Sequence, residues 1–133
     1  MATHGDHPEL PAEVEGMLED DVSTLFLKAG CFPRTKRGHI GEIKLVEVEG
    51  GREWENLEME RLESDLESLV EANQDRPDCF AEINRIGCLV LQLGDLRITC
   101  ASPPFSDARE ITIVRPVVKL TLDQYELDTR LIE

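Results

Sequence analysis

The residues best suited to chemistry in this chain are its arginines. Ten of the 14 lysines and arginines are arginine. Lys28, Arg34, Lys36 and Arg37 form a positive island around the first loop. Arg97, Arg109 and Arg115 are carried by successive strand-like runs beside a proline-rich loop. A guanidinium holds two oxygens of a phosphate in its planar fork and keeps its charge at any physiological pH. The same residues serve equally as surface cations that neutralise nearby carboxylates. Spacing alone leaves both readings open.

Other chemistries find little support. Cys31, Cys79, Cys88 and Cys100 include no CxxC pair, and His4, His7 and His39 lie far from three of them. A structural zinc site needs ligands paired at short spacing. Cys88 and Cys100 fall inside apolar runs and read as small buried hydrophobes. His4 and His7 sit in a polar stretch and read as solvated. No serine, cysteine or histidine has a nucleophile-elbow or triad context. There is no GxxxxGK[ST] and no GxGxxG, so no phosphate loop is present in these residues. Neither a cofactor nor a metal is expected, and the chain is not expected to be an enzyme by itself.

The elements that must position the arginines occupy 133 residues, one domain's length. Apolar residues make up 41%, enough for a core. Aspartate and glutamate number 28, and the net charge is −14. So acidic a chain repels phosphates over most of its surface, which argues against direct nucleic-acid binding. No run approaches a membrane span, and the N-terminus lacks a signal peptide's cationic and apolar regions, so a cytoplasmic protein is expected.

Residues 1–16 read as a flexible acidic tail, 17–122 as one domain and 123–133 as a connector. Val22–Leu27 reads as a first strand, and residues 31–41 as a glycine- and proline-marked loop. Residues 42–48 alternate like a half-buried strand. Residues 54–73 are the one strong helix, with Leu57, Leu62, Leu66, Leu69 and Val70 near a 3.6-residue period and carboxylates on its other faces. Only Arg61 offers them a partner within the helix. Cys79–Ile83 is a short strand. Residues 88–93 and 96–101 form a hairpin around Gly94-Asp95. A two-residue turn pairs Leu93 with Leu96, Leu91 with Ile98 and Leu89 with Cys100, all apolar and on one face. Arg109–Val114 is a further strand, stopped at Arg115-Pro116, and residues 117–122 read as extended. The expected architecture is α+β in two layers: a mostly antiparallel sheet with one long amphipathic helix.

The run from Phe80 to Leu127 resembles one region of a larger family. Its Pro103-Pro104-Phe105-Ser106-Asp107 loop, its Glu110-Ile111-Thr112-Ile113-Val114-Arg115-Pro116 strand and its Val118-Lys119-Leu120-Thr121-Leu122 connector with Tyr125 are similar to archaeal PIN-domain-containing ATPases. These are distant relatives of the hexameric type IV pilus and type II secretion ATPases. Leu27-Lys28-Ala29-Gly30-Cys31-Phe32-Pro33 and Gly41-Glu42 extend the resemblance more weakly toward the N-terminus.

The resemblance implies a PAS-like accessory domain preceding a RecA-like ATPase core, and arginines that reach nucleotide phosphates across a subunit boundary. The matching positions are Arg97, Arg115 and Arg109. Its implied partners are the ATPase core or a neighbouring subunit, in a homo-oligomer. Walker A and the clustered aspartates of a PIN domain are absent from these residues, so the chain looks like an excised or free-standing domain. Three readings follow: an accessory domain touching nucleotide in trans, a self-associating or protein-binding domain with no nucleotide role, and an enzyme in its own right. A positive patch of Arg97 and Arg115, with or without Arg109, near Phe105 favours the first. Arginines each paired with local acids favour the second.

Overall fold

The computed structural model describes residues 7–19, 21–38 and 42–115. Its elements are α1 (Ala12–Met17), β1 (Val22–Lys28), β2 (Arg34–Arg37), β3 (Lys44–Glu47), α2 (Asn56–Ala72), β4 (Cys79–Arg85), β5 (Cys88–Leu93), β6 (Leu96–Ala101) and β7 (Glu110–Val114). The strands form one seven-stranded sheet in the order β3-β2-β1-β7-β6-β5-β4. Every neighbouring pair is antiparallel. The expected α+β class holds, with the sheet the dominant element. The PAS-like designation stays with the resemblance.

The β5–β6 hairpin takes the register expected from its alternation, pairing Leu93 with Leu96, Leu91 with Ile98 and Leu89 with Cys100. Gly94 opens the turn at φ 65°. A two-residue hairpin turn needs that left-handed geometry at its first position, and glycine adopts it without a Cβ clash. Leu89, Leu91, Leu93, Leu96, Ile98, Cys100, Ile111 and Ile113 are all buried in the core cluster. They come from the alternate positions of three adjacent strands, so they share the inner face.

Helix α2 covers that face with Met59, Leu62, Leu66 and Val70, all buried. The steps of three and four residues keep this stripe on one side of the helix. The expected stripe included Leu57, but Leu57 is 57% exposed and Met59 is fully buried. Leu57 lies in the first turn, two residues before Met59, and at 100° per residue that puts it on the side of the helix opposite the buried stripe. The backbone N–H of Glu55 donates to Glu58 Oε1 at 3.0 Å and satisfies one donor at the helix start.

The chain departs from the sequence reading in three places. Residues 7–19 are no tail where described: α1 forms, and Leu10, Val14, Met17 and Leu18 enter the core. His7 is not solvated, because its Nε2 lies 2.9 Å from Glu15 Oε1 with the ring largely covered. The first loop contains β2, a strand of sequence RTKR in which Thr35 alone is buried. Residues 44–47 form the sheet edge, exposed along their whole length rather than half-buried. The 117–122 and 123–133 segments lie outside the described residues.

Leu91 sits at the centre of the inner face with 1% exposure. Leu91→Ala is expected to cost about 2–5 kcal/mol, through lost burial and a cavity. The check is a lower urea midpoint at unchanged m-value.

Candidate functional site

Each arginine singled out by the sequence has its own surroundings. Arg97, at the start of β6, extends across β5 to Glu82 on β4. Its Nη1 donates to Glu82 Oε1 at 2.7 Å and its Nη2 to Oε2 at 3.0 Å, a fork-to-fork pair. The guanidinium holds the Glu82 carboxyl below the usual carboxylate range, chiefly by hydrogen bonding. Both side chains remain nearly half exposed.

Arg109 precedes β7 and turns toward α2. Its Nη1 donates to Glu63 Oε1 at 2.9 Å and its Nη2 to Glu60 Oε2 at 3.2 Å. The acidic helix therefore finds a cation in the sheet. Its first turn finds another in Arg52, which donates to Glu58 Oε1 at 2.9 Å, to Glu13 Oε1 at 3.0 Å and to Glu13 Oε2 at 3.1 Å. Arg52 also lies over the Trp54 ring, 4.8 Å from its centroid, and so clamps α1 to α2.

Arg115 is 5% exposed. Its guanidinium donates to the backbone carbonyls of Leu18 (3.4 Å) and Val22 (2.6 Å), and also to that of Glu19. Its own N–H donates to Ser23 O at 2.8 Å. The residue after β7 thus fastens the chain between α1 and β1, where no regular ladder would satisfy those carbonyls.

The patch expected near Phe105 does not form. Arg109 and Arg115 flank opposite ends of β7, about 20 Å apart at a strand's rise of ~3.3 Å per residue. Phe105 lies at the Arg109 end, against the β4–β5 turn, where a Cβ on Gly87 would come within 2.7 Å of its ring. Arg97 pairs in register with Val114 at the other end. Of the first-loop island, Lys28 lies 3.2 Å from Asp107 and 3.6 Å from Glu110. Arg37 contacts Glu19 and Asp21. Arg34 makes no ion pair among the described residues, and Lys36 lies over the Phe26 ring, 5.7 Å from its centroid.

Sequence reasoning missed the anchoring role of Arg115 and the clamp at Arg52. The only sequence signal for Arg115 is its place at a strand end before a proline. The described residues contain no group of three or more His, Cys, Asp or Glu side chains arranged to hold a metal. Cys100 is buried, and that burial pushes its thiol well above the usual range. None of the described helices is long and apolar enough to cross a membrane.

Fold and site together define a sheet-dominated α+β domain whose arginines serve mostly its own architecture. The chain is related to one segment of larger archaeal PIN-domain proteins. It is 41% identical, over 94% of its length, to an uncharacterized KH and PIN-domain containing protein of Methanocaldococcus jannaschii. It is 34% identical, over 91% of its length, to the Holliday junction branch migration ATPase PINA of Sulfolobus acidocaldarius. The chain spans only 19% and 23% of those two proteins. No family model matches it. These matches carry the PIN-domain part of the resemblance and are silent on pilus and secretion ATPases.

The environments of Arg97 and Arg115 predict different losses. Arg115→Ala leaves buried carbonyls unpaired and is expected to cost about 3 kcal/mol or more in urea unfolding. Arg97→Ala breaks an exposed, solvent-screened pair and is expected to leave the urea midpoint nearly unchanged. A second outcome concerns pH. The Glu82 carboxyl is lowered in the fold, so the pair's contribution is present above the unfolded glutamate pKa of about 4.3 and is lost as pH falls through the lower folded value. Carboxyl-carbon NMR should show the Glu82 midpoint moving up toward an ordinary glutamate in Arg97→Ala.

Proposed function

We propose that this chain is a non-catalytic accessory domain of a PIN-linked ATPase, serving assembly with a RecA-like core or a neighbouring subunit. The observation that carries the reading is the match of almost the whole domain to one segment of two PIN-domain proteins, one of them named as an ATPase. In this reading the domain supplies a rigid sheet and an acidic helix as contact surfaces, and the motor chemistry resides elsewhere. A motor of the pilus and secretion type is the form of core that the sequence resemblance suggests.

A second reading drops nucleotide contact and keeps assembly. It is favoured by one observation: each of the three candidate arginines already has partners inside the domain. A trans contact to phosphate asks Arg97 to exchange Glu82 for the nucleotide. Its exposure permits that exchange, whereas Arg115 would have to abandon three backbone carbonyls.

Two measurements test these readings. The isolated chain is expected to show no ATP turnover above a protein-free control, because it has no phosphate loop and no magnesium-binding Ser or Thr within one. Turnover that survives repurification overturns the non-catalytic assignment. In a longer chain joining this domain to a RecA-like core, deleting the domain is expected to weaken subunit assembly. Arg97→Ala there separates the two readings: a loss of turnover of tenfold or more with assembly intact supports nucleotide contact, and unchanged turnover supports assembly alone.

A further inference from the structure

A groove runs along one flank of α2, between that helix and the segment that carries α1. Two hollows form it, of about 470 and 190 Å³, and both are lined by Pro11 and Asp65. The helix borders it from Glu58 to Ala72, about 21 Å at 1.5 Å per residue. Its floor is apolar, from Val14, Trp54 and Leu62 at one end to Leu10 and Leu69 at the other. Its rim carries charges that the domain does not use. Arg61, Asp65 and Glu9 make no ion pair among the described residues, whereas Arg52 holds Glu13 and Glu58. Trp54 is 5% exposed, and its indole N–H has no hydrogen-bond partner among the described residues. The groove therefore offers a cation toward its Trp54 end and free carboxylates beyond it.

The chain leaves the sheet close to this groove. The Arg115 guanidinium donates to the carbonyls of Leu18 and Glu19, at the C-terminal end of α1. Glu13 on the groove's rim lies five residues back along α1, about 8 Å away. Residues 116–122 span up to about 23 Å when extended, enough to bring the chain from Arg115 to the Trp54 end. The residues that follow match the groove. Asp123 suits the opening of a helix, and residues 124–133 contain no proline or glycine. A helix there sets Leu127 and Leu131 on one face, with Glu126 and Arg130 beside them, each pair four residues apart. Arg61 and Asp65 have the same spacing and the complementary order of charge. A helix that enters at the Trp54 end runs in the direction of α2 and brings Glu126 to Arg61 and Arg130 to Asp65. The reverse direction would oppose like charges.

We propose that residues 123–133 seat in the groove between α1 and α2 of their own chain, as a helix parallel to α2. Leu127 and Leu131 cover the apolar floor and supply most of the stabilisation. The Glu126–Arg61 and Arg130–Asp65 pairs are exposed, so they set register more than they add strength. Eleven helical residues measure about 16 Å and fit within the groove. The free carboxylates of Glu9 and Asp65 disfavour a phosphate-bearing occupant. The same segment of a second copy would match the groove equally well. A seven-residue tether, however, presents the chain's own segment at an effective concentration on the order of millimolar, so the intramolecular seat fills first. The inference goes beyond the accessory reading and does not depend on it.

Amide hydrogen exchange of the whole chain, read by NMR beside a synthetic peptide of residues 116–133, tests the proposal. The amides of residues 127–131 are expected to exchange at least about tenfold more slowly in the chain than in the peptide, whatever the protein concentration. Trp54 is the chain's single tryptophan, so its indole N–H signal reads the groove without ambiguity. Leu127→Asp is expected to abolish the protection of residues 127–131 and to shift that signal. Arg61→Glu and Glu126→Arg are each expected to reduce the protection, and the chain carrying both is expected to regain it. Unchanged protection of β5, β6 and β7 establishes that every variant folds. Exchange as fast as in the peptide, a double charge reversal without recovery, or a Trp54 signal indifferent to Leu127→Asp overturns the proposal. Protection that grows with protein concentration also overturns it, by assigning the groove to a second copy's segment. None of these outcomes bears on assembly with a motor core, which keeps its own test.

Discussion

The structure depends on one dry contact, the seating of the Met59–Leu62–Leu66–Val70 stripe of α2 on the inner face of the sheet, against β4, β5 and β7. A sheet presents its side chains with a period of two, so once one face is committed to this contact the other is committed to solvent or to a partner. The same constraint fixes the rest. A slip of one residue in the β5–β6 ladder would send Leu89, Leu91 and Leu93 outward together and expose the core.

Charge is arranged around that contact. A helix with carboxylates along both flanks of its buried stripe repels itself, and α2 contains only Arg61 as a cation of its own. The sheet and the preceding loop supply what the helix lacks, through Arg109 to Glu60 and Glu63 and through Arg52 to Glu58. These exposed and half-exposed pairs contribute modestly one by one. Arg115 differs because it is buried and satisfies backbone carbonyls rather than carboxylates. It joins the segment after α1 to the end of β7, tying the first element of the described sheet domain to the last.

The hairpin was legible because its alternation, its apolar pairs and its Gly-Asp turn all point to one register. The second helix was legible from its period, apart from the first turn, where Leu57 has the right type but the wrong phase. α1 left little trace, since six residues after a proline hold too little periodicity, and its burial depends on a sheet far along the chain. β2 was hidden because RTKR has one inward residue, Thr35, and its strand state comes from pairing with β1 and β3. The roles of the arginines were the least legible. A guanidinium on a carboxylate, on a carbonyl or on a phosphate begins from the same sequence, and only the fold assigns its partner. The pairing that forms favours local neutralisation over a shared patch.

The central claim is that the inner face of this sheet is closed by α2 and that Arg115 fastens the segment after α1 to the end of β7. Amide hydrogen exchange of the unaltered chain and of Arg115→Ala reads both at once. The account predicts the strongest protection in β5, β6, β7 and the Met59–Val70 stretch of α2, and a loss of protection in Arg115→Ala that begins in α1 and the start of β1. Protection in α1 and β1 that is unchanged by Arg115→Ala would contradict it.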